Sequence, residues 1–430
     1  MPASRESQRR AAVPFILITV LLDTLGVGLI IPVGPRLVAS FLGDDLASAS
    51  RWFGLLIALY AVMQFIFAPV LGGLSDRFGR RAVILSSLMG AAASYLLSAL
   101  APSLGWLFLG RTIAGITGAS FSAANAYIAD ITPPEKRAAN FGASGAVLGL
   151  GFILGPALGG ALGDYGLRIP YFVGAGLNFL NLLYGLFVLP ESLPKASRRS
   201  FSFARANPVG SMRNLARHPL VLRLTATLFF TFLSQLILQS VWALSNQERF
   251  GWSLKQVGLS LMAVGLGTAV VQGLLVRMLM PWLRERRALL LGLLFSSTGF
   301  VLFGIATEGW MIYAFLPVLS LSGIAGPAVQ AIITGQVGPK EQGELQGAIN
   351  SLQGLAAIIG PLIGTTLLAR FGPADVALRI PGAPFFASAA FTFTGLLLAV
   401  RALRSTPKAP PAPPLPLEPP ATPDSPVVTP

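Results

Sequence analysis

Twelve apolar stretches, each long enough to cross a bilayer, decide what this chain can become. They run over roughly 13–35, 53–74, 82–101, 105–129, 139–162, 168–190, 221–244, 255–279, 287–306, 309–333, 344–369 and 381–402. About 20 apolar residues suffice for one helical crossing. In lipid every backbone polar group needs an internal partner, so segments of this length become helices. Only 11% of the 430 residues are charged and 53% are hydrophobic, whereas a globular domain carries about 25% charged residues. The expected fold is an all-α integral membrane protein of twelve transmembrane helices in two six-helix bundles.

The fifth stretch contains GASGAVLGLGFILGPALGGALG, from Gly142 to Gly163. Gly151, Gly155, Gly159 and Gly163 recur every fourth residue and line one helical face, with Pro156 inside the run. In water such a helix would lose about 1 kcal/mol per glycine and about 3 for the proline. In a membrane, neighbouring helices re-satisfy the backbone, and a small-residue face admits a second helix at short range. The run predicts a helix that packs closely against a neighbour and slides past it.

A net charge of +14 would suit nucleic acid if it were clustered on one surface, but it is distributed by loop. Arg5, Arg9 and Arg10 precede the first stretch. Arg77, Arg80 and Arg81 follow the second. Lys195, Arg198, Arg199, Arg205, Arg213 and Arg217 fill the middle loop. Arg284, Arg286 and Arg287 sit between the eighth and ninth, and Arg401, Arg404 and Lys408 follow the twelfth. Alternate loops carry Asp44, Asp45, Asp164, Glu248, Glu308 and Asp375 instead. This is the positive-inside pattern, with both termini cytoplasmic, and the basic loops suit anionic lipid. Nucleic acid is not an expected partner, and nothing demands more than a monomer.

Residues 191–219 form the only long internal break. The expected organisation is a six-helix bundle at 1–190, a cytoplasmic linker at 191–220, a second bundle at 221–402 and a proline-rich, unstructured tail at 403–430. The halves are self-similar at an offset of 205: Gly118 matches Gly323, Gly142 matches Gly347, and ILGPALG at 153–159 matches IIGPLIG at 358–364. A duplicated six-helix unit is the arrangement of many secondary transporters.

Chemistry-bearing residues are few. Cysteine is absent and the single histidine, His218, lies in the basic middle loop, which leaves no thiolate nucleophile or cysteine-held metal site and speaks against an enzyme. Asp23 sits midway along the first stretch, where burial opposes the charge and a nearby cation supports it. That balance suits a proton carrier; the alternative is a carboxylate that caps backbone near the Gly/Pro break of this helix. Arg111 opens the fourth stretch and either serves Asp23 or snorkels to the interface. GGLSDRFGRR holds Gly72, Asp76, Arg77, Gly79, Arg80 and Arg81 in a tight loop, read as charged pairs that hold one conformation or as membrane anchoring. TPPEKR at 132–137 reads as a helix start, with Thr132 capping and Glu135 closing a capping box. Gln64, Asn125, Gln235, Gln239, Trp242, Gln330 and Asn350 are polar or amphipathic residues at membrane depth, candidates for a mostly neutral substrate cavity.

Together these motifs resemble the major facilitator superfamily, in its twelve-helix drug:proton antiporter branch, with bacterial tetracycline efflux proteins the nearest likeness over 13–402. LLDTLGVGLIIPVGPRL resembles the branch's first-helix signature. GGLSDRFGRR matches the superfamily loop that gates the cytoplasmic side. Arg111, Gly115 and Gly118 match the fourth-helix motif implicated in proton transfer. Gly142, Gly151, Gly155, Pro156, Gly159 and Gly160 match the antiporter motif of helix five, found in exporters. Where tetracycline exporters hold further acidic or histidine groups, this chain has Ser94, Ser296 and Thr268; Asp23 and Gln64 are kept. The resemblance implies a bacterial inner-membrane antiporter without cofactor or metal, which uses the proton gradient to export a small amphipathic compound, Asp23 and Arg111 coupling the proton. The alternative on the same fold is uptake or facilitation of a specific metabolite. A sensor that signals through its tail is a third reading.

Overall fold

The structure, a computed structural model, describes residues 5–118, 120–198, 219–338, 341–373 and 378–404. The middle segment with Arg199, Arg205, Arg213, Arg217 and His218, the acidic Asp375, and the proline-rich residues 405–430 lie outside the described residues.

The first bundle holds α1 (Arg5–Ile30), α2 (Gly34–Ser40), α3 (Leu46–Phe78), α4 (Arg80–Leu100), α5 (Leu104–Thr117), α6 (Ser120–Ile131), α7 (Pro134–Gly163) and α8 (Ile169–Val188). The second holds α9 (Pro219–Phe250), α10 (Leu254–Val270), α11 (Val276–Ile305), α12 (Gly309–Leu321), α13 (Ala325–Thr334), α14 (Gln342–Phe371) and α15 (Ala383–Arg404). Ten spans are long and apolar enough to cross a membrane outright. One of them, Leu254–Ile305, folds back at Arg284 and crosses twice. The pieces α5 and α6 are each too short alone and together make the fourth crossing. The chain is an all-α protein of twelve crossings in two pseudo-symmetric bundles.

Local chemistry sets the boundaries. Pro32 and Pro35 withhold backbone donors, so α1 stops at Ile30 and the chain turns before α2. Asp45 caps α3 by accepting from the Ala47 and Ser48 N–H groups at 3.0 and 3.4 Å, and bonding to Ser48 holds its carboxyl below the usual carboxylate range. The capping box expected at Thr132 does not form. The N-cap of α7 is Pro133, without a side-chain cap, and the Thr132 hydroxyl accepts from Asn140 Nδ2 at 3.0 Å. With Pro134 at the first helical position, one of the donors that a cap would satisfy is missing. Two arginines close helix carboxyl ends instead. Arg168 donates to Ala99 O and Ala101 O beyond α4, at 3.0 and 2.8 Å. Arg249 donates to Phe303 O and Gly304 O of α11, at 2.9 and 3.1 Å, and to Ala306 O. A cation there also complements the helix dipole.

The internal repeat extends to backbone conformation. Gly79, between α3 and α4, has φ 108° and ψ 158°. At the same offset in the second half, Arg284 has φ 55° and ψ 160°. That region suits glycine, and a side chain in it costs roughly 1–3 kcal/mol. Arg284 is exposed, so its side chain has little packing to lose. Arg284→Gly is expected to raise stability by about 1 kcal/mol, after allowance for glycine's greater freedom when unfolded. Thermal unfolding of the purified protein checks this; a lowered midpoint would refute the strain.

The bundles meet chiefly through two helix pairs that the repeat relates, α3 with α14 and α7 with α10. The tightest of these contacts lie toward the end away from the linker. There, a methyl group on Gly258 of α10 would run into Pro156 of α7, and one on Gly160 would run into Leu254. Gly54 of α3 likewise packs on Thr365 of α14, and Phe65 of α3 on Gly354. Toward the other end, which carries the α3–α4 turn and the segment after α8, nothing lies within 4 Å of a methyl placed on Gly72, Gly142, Gly145, Gly149, Gly273 or Gly343. At its glycines the interface is thus tightly packed at the far end, away from the linker, and loose at the linker end.

Candidate functional site

A polar cluster in the first bundle is built on a broken helix. Helix α5 ends at Thr117 and α6 begins at Ser120. Gly118 between them has φ −73° and ψ 53°, which stops the regular hydrogen-bond ladder and frees carbonyls. Gln64 of α3 donates from Nε2 to the Gly118 carbonyl at 3.1 Å and to the Tyr60 hydroxyl at 3.2 Å. One N–H of its amide thus holds the break, and the other is steadied by Tyr60 on its own helix. Ser120, the first residue of α6, donates from its hydroxyl to Asp23 Oδ2 at 2.5 Å. Asp23 therefore bonds to the fourth crossing, and the backbone-capping role in α1 is not what the geometry shows.

Arg111 lies elsewhere on the same cluster. With Ser98, Leu107 and Tyr171 it lines a small cavity of about 10 Å³. Among the described residues no ion pair joins Arg111 to Asp23. Tyr60 and Tyr95 stand within electrostatic reach of both. Ser120 escaped the sequence reading. Its one signal was the run Gly118–Ala119–Ser120, small residues beside the fourth-helix motif.

The loop motif forms a compact charged knot. Arg80 pairs with Asp76 at 2.6 Å and with Asp130 at 3.1 Å, the latter at the end of α6. The Arg80 N–H donates to Glu191 at 2.9 Å, and Ser192 donates to Asp130 at 3.1 Å. Arg81 donates to the Leu186 carbonyl at 2.6 Å. Arg77 lies over the Phe78 ring at 5.1 Å, outside the knot. The motif thus ties α3, α6 and the start of the linker together within one bundle.

The glycine face of α7 divides its work. Gly151, Gly155 and Gly159 pack on α1, within the first bundle, against Thr24, Gly28 and Leu29. A methyl on Gly28 would stand 2.7 Å from the Gly155 Cα. The seam with the second bundle belongs to the adjacent face, through Ile153, Pro156 and Gly160. A methyl on Gly142 would meet nothing within 4 Å. The face of fourth-residue glycines expected to slide is the fixed side, and the seam lies beside it.

The seven cavity candidates separate. Asn125, Gln235, Gln239 and Asn350 are half-buried or exposed. Gln330 donates to Gln346 at 3.0 Å, and Gln64 is engaged at the break. Trp242 is 1% exposed; its Nε1 donates to Ser260 at 2.9 Å and its ring meets Phe303 edge-on. It belongs to the interior of the second bundle and faces no cavity here. Beside this set, Gln272 lies exposed in the π-helical turn Val271–Leu275 that follows α10. Among the described residues no acidic or histidine group of metal-binding size occurs.

At the far end, Arg36 of α2 donates from Nε to Gln247 Oε1 of α9 at 2.6 Å. Both line a cavity of about 370 Å³ with Asp44, Asp164 and Trp252. The bond joins the bundles at this end.

The chain matches the Major Facilitator Superfamily over residues 16–354, and again over 228–427. It belongs to that superfamily. Tetracycline resistance protein class C of Escherichia coli is 43% identical over 82% of this chain and 89% of its own length. The class B protein of Escherichia coli is 39% identical over 81% and 86%. Among solved superfamily structures, the human organic anion transporter MFSD10 (TETRAN) aligns with TM-score 0.67 and 26% identity, over 91% of this chain and 99% of that one. A bacterial homologue of the human lysosomal transporter Spinster, inward-facing and unoccupied, aligns at 0.69 with 17% identity, over 92% and 95%. As a superfamily member the chain is a multi-pass membrane transporter.

Proposed function

We propose that this chain is a proton-coupled exporter of small amphipathic compounds in a bacterial cytoplasmic membrane. The linker end, which carries the basic loops, faces the cytoplasm, so the loosely packed side of the bundle interface faces inward. Asp23 is the observation that carries the reading. Among the described residues it is the one carboxylate in the middle of a crossing, and it reaches that depth with a hydroxyl partner and no paired cation. A proton entering from outside neutralises it, and export is driven because proton and cargo favour opposite orientations. The relatives named for tetracycline resistance support efflux as the direction. Asn125, Gln235, Gln239 and Asn350 offer the cargo uncharged hydrogen-bonding groups along an apolar cavity. Ser94 and Ser296, each 4% exposed, are sealed into helix packing and add no charge. The cargo is accordingly neutral or singly charged.

Everted membrane vesicles energised to an acid interior test this directly. Candidate compounds, tetracycline with and without magnesium among them, are added singly while a pH-sensitive dye reports proton release. Dye recovery on addition of a lipophilic compound is the expected result. Silence across a broad panel, with proton-driven accumulation in intact cells, would replace export by uptake. A narrower outcome concerns the far-end bond. Arg36→Ala removes the bond that joins the bundles there and is expected to weaken closure, seen as proton leak in vesicles without any cargo. An unchanged leak would mean that the helix seam alone closes that end.

A further inference from the structure

We propose that Ser120 is the positioning residue of the proton site, and that the break in the fourth crossing exists to present it. The inference rests on the reading of Asp23 as the proton carrier. Asp23 accepts from the Ser120 hydroxyl at 2.5 Å, in the range of charge-assisted O–H···O bonds. Ser120 is also the first residue of the 12-residue helix α6. The amino end of a helix carries unsatisfied N–H groups and a partial positive charge. The carboxylate is thus met by a hydroxyl and, behind it, by the positive end of a helix. A continuous fourth crossing would offer neither, since its N–H groups would be spent on the ladder.

The break itself is held from a third element. Gln64 fixes the Gly118 carbonyl at 3.1 Å, so the amino end of α6 cannot relax into the helix before it. The consequence is a tie between α1 and α6 that depends on charge. Ionised, Asp23 takes the Ser120 proton donor and α1 is anchored to the fourth crossing. Protonated, it needs no donor, the bond loses its charge assistance, and the polar tie between α1 and α6 weakens while their apolar packing through Val20 and Ala124 remains. Other groups surround the carboxylate without replacing this bond. Tyr60 of α3 and Tyr95 of α4 lie within electrostatic reach of the carboxylate, and Arg111 of α5 within reach of those two tyrosines. The helices α7 and α8 bring Gly151, Gly155, Asn178 and Asn181 toward α1, none of them titratable.

The test follows the protonation of Asp23 itself. Purified protein in lipid nanodiscs is titrated while the infrared carbonyl band of the protonated carboxyl is recorded, assigned as the band missing in Asp23→Asn. Ser120→Ala is expected to move the midpoint to higher pH by roughly one unit, because the ionised form loses its donor. Ser120→Thr keeps the hydroxyl and is expected to keep the midpoint. The pH profile of dye recovery in vesicles should move with it. A serine that merely fills space would leave both unchanged in the alanine variant, and that result overturns the positioning role. If Asp23→Asn removes no band and still exports with proton release, the proton-carrier reading falls first and takes this one with it.

Discussion

Asparagine in place of Asp23 is expected to reduce proton-coupled export to the level of vesicles without the protein, with the variant present in the membrane in normal amount. The side chains match in shape, and the asparagine carbonyl can still accept the Ser120 hydroxyl that Asp23 Oδ2 accepts at 2.5 Å. Packing around α1, held by Gly155 and Gly159 of α7, should therefore survive. What disappears is a group with two charge states. A ligand moves an equilibrium only through its differential affinity for the two conformations, and without a titratable carboxyl the proton has no state to favour. Cargo-dependent dye recovery, normalised to an immunoblot of the vesicles, decides the matter. Recovery at the unmodified rate would remove Asp23 from the coupling mechanism, and a lost band on the blot would turn the result into one about folding.

Leucine at Gly160 is expected to hold the far end open and to lower export at least tenfold, since about 1.4 kcal/mol of imbalance between conformations already changes their ratio tenfold. Even a methyl group there would run into the backbone of Leu254 on α10, and a packed seam cannot absorb a branched side chain without separating. The change is read with a reporter. The chain has no cysteine, so Thr365→Cys supplies a single thiol beneath Gly54, on the second helix pair that bridges the bundles. In the parent this position is 1% exposed and should resist a membrane-impermeant maleimide. With Gly160→Leu it should react from outside. A protected thiol together with unimpaired export would show that α7 and α10 need not close for transport.

Much of this was legible in the residues because lipid simplifies the problem. Apolar length alone announces a crossing, so twelve stretches became twelve crossings. Arg80, Asp76 and the neighbouring glycine formed a turn because their chemistry is local. What escaped reading was settled at long range. Whether Gly118 continues a helix or interrupts it depends on an amide 54 residues away, that of Gln64. Periodicity showed that Gly151, Gly155 and Gly159 share a face, but a face does not name its neighbour, and α1 took the place expected for a moving partner. Trp242 looked like a cavity residue by depth; the Ser260 hydroxyl satisfied its N–H inside the second bundle. At Thr132 the capping motif was present and its hydroxyl was claimed by Asn140. Nothing about an arginine foretells the positive φ of Arg284, which the repeat imposes from Gly79.

The unequal packing of α7 makes it a lever. Its outer third is clamped on both sides, by Gly28 and Leu29 of α1 and by Leu254 and Gly258 of α10, while its inner half from Gly142 to Gly149 has open space at each glycine. The fulcrum lies near Pro156, and the arm, carried by its own bundle through Val147 and Leu148, runs back to Pro134. At 1.5 Å of rise per residue that arm is about 33 Å long, so a tilt of roughly 10° at the fulcrum sweeps its tip by about 6 Å. Displacements too small to break the clamp are thereby magnified into a mouth wide enough to admit or shut out a small molecule.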